Sequence, residues 1–298
     1  MSESSTLTTA SSSRAALSDP MRSALAAVVD GLASGLDGKA LLADAETVLG
    51  SGNGTDEEGA WLEGARGLVQ LCAGEDGAAV KTLRGVSKAL PSDPAIQLAL
   101  AVAMARTGRL DKASAQLAEA SEDPAAPAAI LFNRALLNRS GEDEDLVIDL
   151  LSRASALDPN YFEALLELAR AYLEAERPVD AEPVFRQTLA LQPDNLDCLV
   201  GLAETLILLE RFDEARSLLE APARERRLTP HALMELGRCR DEDGDPDLAL
   251  ASYRAAVSGD QALFSDAIER FIQMGRGAPW RHPARLSEVL ALARAALV

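Results

Sequence analysis

The acidic run 241–247, DEDGDPD, has the residue types that bind calcium. Three of its aspartates alternate, and Gly244 stands among them. A calcium loop of the EF-hand type needs its glycine at the sixth position and a glutamate at the twelfth. Counted from Asp241, the glycine is fourth and Ser252 is twelfth. The run therefore predicts a solvated turn between two helices, with Asp247 capping the second helix.

The two histidines and three cysteines are the other candidates for metal or nucleophile chemistry. His231 follows a Thr-Pro pair at a predicted helix start, and His282 lies in a proline-rich turn. Neither has a cysteine or carboxylate at metal-ligand spacing. Cys72, Cys198 and Cys239 form no CxxC pair and stand in apolar helical context, which predicts buried free thiols and a reducing compartment. Phosphate loops of the Walker and GxGxxG types are absent. We therefore expect no enzymatic activity, no metal and no cofactor.

Net charge narrows the classes of partner. The chain has 298 residues and a formal net charge of -18, so its field repels nucleic acid and anionic membranes. The basic stretch ARERR, with Arg224, Arg226 and Arg227, is too short to reverse that field and predicts a solvated helix end. No segment is apolar enough to span a membrane, and the start lacks a signal peptide. We expect a cytoplasmic protein with a disordered Ser/Thr-rich lead over residues 1–20.

Any functional side chain of this protein would be positioned by a sequence repeat. ALDPNYFEALLELARAY, from Ala156, is followed 34 residues later by ALQPDNLDCLVGLAETL. Leu165, Leu168, Ala169 and Tyr172 follow the i, i+3, i+4, i+7 spacing of one helix face. AERP interrupts that helix, and a second helical face runs on to LQPD. The unit is therefore helix A, tight turn, helix B and a proline-marked turn.

This helix–turn–helix period resembles the tetratricopeptide repeat. Leu165 stands where that family usually has tryptophan, and Thr188 where it usually has alanine. The remaining slots of the family pattern are filled by Leu168, Ala169, Tyr172, Ala181, Phe185 and Pro193. In this pattern the small residues lie where helices A and B cross, and the large ones fill the space between hairpins.

The resemblance implies an all-α, right-handed α-solenoid of stacked helix–turn–helix repeats. We expect about seven helix pairs over residues 21–261, best formed over 128–261, with the register before residue 94 open. Pro222 falls inside a helix B, which should kink or stop early there. Residues 262–298 are expected to form C-terminal capping helices. The apolar stripe of the last segment is an alternative surface for a homodimer.

The resemblance also implies a binding surface, because helices A line the concave groove of this family. We therefore predict a groove that binds a partner segment. Its inward slots are Asn133, Leu136, Glu163, Leu166, Glu167, Arg170, Glu174, Asp197, Val200, Glu204, Ile207, Met234, Glu235, Arg238 and Asp241.

These slots indicate the partner's chemistry. The Lys, Asn and Arg clamp by which some members grip a C-terminal carboxylate is not reproduced, which argues against the C-terminal tails of Hsp70 and Hsp90. An acidic groove with an apolar floor favours a protein or peptide segment that carries Lys or Arg beside apolar anchors. Solvation of an exposed helix face is the alternative reason for these charges. We expect a non-catalytic interaction scaffold; a dedicated chaperone for a secreted or assembled client and a ligand-responsive sensor are the alternatives.

Overall fold

The structure is a computed structural model that describes residues 19–34, 36–50, 56–139, 141 and 143–263. Within these ranges every regular element is helical, and no strand is present. This confirms the all-α repeat architecture. The Ser/Thr-rich lead up to residue 18, the capping helices expected after Leu263 and the stripe proposed for a dimer lie outside the described residues.

The chain divides into two compact units, residues 1–159 and 160–298. In the described part of unit 1, four antiparallel hairpins follow one another along the chain, each made of a helix A and a helix B. They are α1 (Asp19–Ala33) with α2 (Gly38–Gly50), α3 (Asp56–Cys72) with α4 (Asp76–Ala89), α5 (Pro94–Arg106) with α6 (Leu110–Ser121), and α7 (Ala128–Asn138) with α8 (Glu144–Leu157).

Unit 2 contains three further hairpins in its described part. They are α9 (Phe162–Glu174) with α10 (Pro178–Leu191), α11 (Leu196–Leu208) with α12 (Phe212–Arg224), and α13 (Pro230–Glu242) with α14 (Pro246–Gly259), followed by a short 3₁₀ turn at Gln261–Leu263. A core centred on Phe185, Leu202 and Leu219 joins the three hairpins.

Small residues stand at the crossing of helices A and B in both units. In the hairpins from α3/α4 to α13/α14 the crossing position of helix A recurs every 34 residues and is always buried: Gly67, Ala101, Ala135, Ala169, Ala203 and Gly237. A Cβ on Gly67 would collide with the Leu83 side chain, and one on Gly237 with the Tyr253 ring. The close approach of the two helices therefore limits side-chain size at this position.

The facing positions of helix B complete the crossing. A small residue is buried at Ala79, Ala113, Val147, Ala181, Ala215 and Ala249, and a large one four positions later at Leu83, Leu117, Leu151, Phe185, Leu219 and Tyr253. The six hairpins therefore bury the same kind of contact, and this sets the register before residue 94 that the sequence left open. α1 and α2 do not follow this spacing.

The turn between helices A and B is equally periodic. Gly74, Gly108, Glu176, Glu210 and Gly244 have positive φ and follow the same 34-residue spacing. After each of them the next backbone N–H returns to the helix, as in Arg177 N to Tyr172 O at 2.8 Å. This is the left-handed helix ending that glycine favours, and two of the five turns use glutamate in its place.

Two local predictions are wrong. α12 does not stop at Pro222 but continues to Arg224, although Pro222 is buried and lacks the N–H that would donate to the carbonyl four residues earlier. Two residues after the helix ends, Arg226 adopts the left-handed region, and Arg227 N donates to Pro222 O at 2.9 Å. The cap of α14 is Asp245, whose Oδ1 accepts from Leu248 N at 3.1 Å, and not Asp247.

The crossing generates a first prediction. Ala169→Leu adds volume to a fully buried position and should lower the free energy of unfolding by about 1–3 kcal/mol. Ala190→Leu, at an exposed position of α10, is the matched control and should leave stability nearly unchanged. Thermal unfolding followed by circular dichroism measures both. Equal melting temperatures for the two variants would contradict the crossing as described.

The turns generate a second prediction. Glu176 and Glu210 have φ of 54° and 59°. A left-handed conformation destabilises a non-glycine residue by about 1–2 kcal/mol. Glycine avoids this strain, but its greater freedom in the unfolded chain offsets about 0.5–1 kcal/mol of the gain. Glu176→Gly with Glu210→Gly should therefore raise the melting temperature, whereas Gly108→Ala should lower it. A double variant that melts below the parent would show that these turns are not strained.

Candidate partner-binding face

The A helices of unit 2 lie side by side and present one polar stripe. α9 contacts α11, and α11 contacts α13. We call this surface of unit 2 the A-face. It comprises Glu163, Glu167, Arg170, Glu174, Asp197, Val200, Glu204, Leu208, His231, Arg238 and Asp241. The stripe exists because the opposite side of each A helix is buried at the crossing, which leaves this side to solvent.

Arg170 joins two repeats across the A-face. Its guanidinium lies 3.1 Å from Glu167 Oε1 on its own helix and 3.2 Å from Asp197 Oδ2 on α11. Asp197 is exposed, whereas Glu167 and Arg170 are half-buried. One arginine is therefore shared by two carboxylates, and the local charge remains negative.

Glu204 lies at the centre of the A-face. Burial raises the pKa of its carboxyl above the usual value, and the charge of Glu235 raises the pKa further, while His231 and Arg170 oppose the rise. His231 Nε2, from the first turn of α13, lies 3.5 Å from Glu204 Oε1. The sequence predicted only that His231 is an exposed first-turn residue. Its contact with the neighbouring repeat could not be predicted from residue spacing within one helix.

Arg238 occupies the α13 end of the A-face. Its guanidinium is 3.9 Å from Glu235 Oε2 and stands 5.8 Å from the centre of the Phe212 ring of α12. These contacts hold the arginine against the protein. Both A-face arginines are therefore already engaged within the chain.

The predicted groove residues fall into distinct environments. Leu166, Ile207, Met234 and Glu235 are buried and offer a partner almost no surface, with Ile207 only 1% exposed. Leu208, one position after the predicted Ile207, is 54% exposed instead. Asn133 and Leu136 lie on α7 in unit 1, where Asn133 Nδ2 donates to Ala129 O at 2.8 Å and Leu136 is exposed.

The burial of the three cysteines differs in part from the sequence prediction. The prediction of buried thiols is wrong for Cys72, which is exposed near the end of α3. Cys198 and Cys239 are buried, and desolvation raises their pKa to about 11 and about 12. Such thiols are protonated and unreactive at neutral pH. Among the described residues no group of three or more His, Cys, Asp or Glu side chains could hold a metal ion.

Two arginines of the basic stretch at the end of α12 are paired with nearby carboxylates. Arg224 pairs with Glu220 at 3.2 Å, and Arg227 pairs with Glu225 at 3.1 Å and donates to Asp194 O. These pairs reduce the positive charge that Arg224 and Arg227 would offer to a polyanion. None of the helices in the described ranges has the length and apolar character to cross a lipid bilayer.

Comparison with known families decides the fold family. Two models, both described as tetratricopeptide repeat, match residues 148–196 and 173–239. Residues 148–239 are therefore tetratricopeptide repeats. These matches fall in the hairpins α8 to α13, and the crossing and turn positions extend the tetratricopeptide period back to Gly67. No curated protein sequence matches this chain.

Solved tetratricopeptide structures share the fold. The chain is similar to PilF of Pseudomonas aeruginosa, with 21% identity and a TM-score of 0.54 over 79% of this chain and 98% of that one. It is similar to YrrB, described as a TPR protein with an unusual peptide-binding site, with 16% identity and a TM-score of 0.55 over 60% of this chain and 92% of that one. MamA of MSR-1 gives 19% identity and a TM-score of 0.50 over 57% and 97%.

The environment of Glu204 generates a prediction on pH. A carboxyl whose pKa is raised on folding stabilises the fold below its unfolded pKa, and that stabilisation is lost as pH rises through the folded pKa. Glu204→Gln should therefore raise the melting temperature, and the gain should grow between pH 5 and pH 8. Glu163→Gln, at an exposed position of the same face, is the control. A gain that is the same at both pH values would contradict a desolvated Glu204.

Proposed function

We propose that the A-face of unit 2 binds a segment of a partner protein, and that the chain acts as a non-catalytic interaction scaffold. The partner segment carries Lys or Arg side chains beside apolar anchors. The proposal rests on one observation: the accessible charges of the A-face are carboxylates, while its two arginines are engaged within the chain.

Two exposed carboxylates of the A-face lie at the start of the A helices. Glu163 is exposed on α9 and makes no ion pair or hydrogen bond with the described residues. Asp197 is exposed on α11 and shares Arg170 with Glu167. A Lys or Arg of a partner would meet these groups without displacing a buried contact, and such pairs contribute orientation and association rate more than affinity.

Affinity needs apolar contact as well. Leu208 is exposed at the other end of α11, and Val200 is half-buried between Asp197 and Glu204. Their placement along one helix supports a bound segment whose apolar and basic side chains alternate. The peptide-binding site described for YrrB is consistent with this use of the fold, although at 16% identity that likeness extends to the fold alone.

Charge reversal at exposed positions tests the proposal. The probe is a fluorescent peptide of about twelve residues in which Arg alternates with Leu, long enough to cross three helices packed about 10 Å apart. Glu163→Lys with Asp197→Lys should weaken its binding about tenfold or more, measured by fluorescence anisotropy. Glu167 and Glu204 are left intact because both are half-buried.

The matched control is Asp247→Lys, an exposed aspartate in the first turn of α14 and off the A-face. It changes net charge in the same direction and should leave binding nearly unchanged. A peptide in which Glu replaces Arg should not bind. If the parent chain and the A-face variant bind the Arg peptide equally while both remain helical, the proposed surface is wrong.

A further inference from the structure

The C-terminal sequence has the chemistry that the A-face would recognise. Residues 264–298 carry five arginines, Arg270, Arg276, Arg281, Arg285 and Arg294, against three carboxylates, Asp266, Glu269 and Glu288. In a chain of net charge -18 this segment is net positive. The stretch 270–285, RFIQMGRGAPWRHPAR, contains four arginines, four large apolar side chains and no carboxylate.

The described chain ends beside the A-face. Leu263 packs against a cluster that contains Met234 of α13 together with Ala249, Tyr253 and Ala256 of α14. Met234 lies one turn after His231 and one turn before Arg238, which are both A-face residues. The described chain therefore ends at the α13 edge of the A-face.

The segment is also long enough. Three helices packed about 10 Å apart present a surface about 20 Å across. Sixteen residues span about 50 Å when extended and about 24 Å as a helix. An extended chain of this length can therefore reach from α13 past Glu204 to Asp197 and Glu163.

From this complementarity of charge, position and length we infer that residues 270–285 are an intramolecular ligand of the A-face and compete with partner segments for it. The inference rests on the proposed function, since it names a regulator of the same surface. Its arginines meet Asp197 and Glu163, and its apolar side chains meet Val200 and Leu208. A partner must displace the segment. The partner's apparent affinity is therefore its intrinsic affinity multiplied by the fraction of chains in which the A-face is free.

Limited trypsin digestion of the full chain tests this inference without any partner. Trypsin cuts after Arg270, Arg276, Arg281 and Arg285, and intact-mass spectrometry reports each cut. Docking should slow these cuts. Glu163→Gln with Asp197→Asn removes two A-face charges without adding a cleavage site and should speed the cuts about fivefold. Asp247→Asn is the control off the A-face and should leave the rates unchanged.

Two results would overturn intramolecular docking. The first is equal cleavage rates in the parent chain and the Glu163→Gln, Asp197→Asn variant. The second is protection that rises with protein concentration, which would assign the segment to the A-face of a second copy. Raising the salt concentration should speed cleavage in the parent chain, because the pairs that hold the segment are accessible to solvent.

Peptide binding separates this inference from the proposed function. In the full chain, Arg276→Gln with Arg281→Gln and Arg285→Gln should raise affinity for the Arg-Leu peptide. Equal binding to that variant and the parent chain would overturn the inference and leave the proposed function standing. The peptide could instead bind neither the variant nor the parent chain, while the cleavage rates still depend on Glu163 and Asp197. That result would support the inference and contradict the proposed function.

Discussion

The close crossing of helices A and B is the contact on which the rest of this protein depends. Where Gly67, Ala169 or Gly237 lies against its partner helix, a larger side chain would separate the two backbones. The same contact in six hairpins fixes which side of each A helix is buried. It therefore also fixes which side faces solvent, and charges can accumulate there without disturbing the core.

Stability and the proposed binding consequently depend on different residues of the same helices. In α9 the crossing residue Ala169 is fully buried, while Glu163 is exposed. Between repeats, ion pairs such as Arg170 with Asp197, and Arg211 with Glu182 at 2.7 Å, join neighbouring hairpins at the surface. Exposed pairs of this kind contribute little to stability, so the apolar crossings carry the fold and the polar stripe is free to serve recognition.

Sequence periodicity predicted the repeat well because each hairpin repeats a local contact at fixed spacing. Leu165, Ala169, Ala181 and Phe185 are all buried where the pattern placed them. Periodicity predicted less well the burial and contacts that depend on how neighbouring helices pack against each other. The buried Ile207 and exposed Leu208, and the contact of His231 with Glu204, depend on the rotation of α11 against α13, which no spacing within one helix specifies. The end of α12 at Arg224 was missed because a proline inside a helix usually ends or kinks it, whereas the burial of Pro222 depends on packing that local sequence does not specify.

The central claim is that unit 2 recognises a basic, apolar segment through its A helices. Hydrogen–deuterium exchange measured with and without the Arg-Leu peptide tests it most directly, because exchange reports which helices the ligand protects. The account predicts slower exchange in α9, α11 and α13, with α10, α12 and α14 unchanged. Protection confined to the B helices or to unit 1 would contradict it.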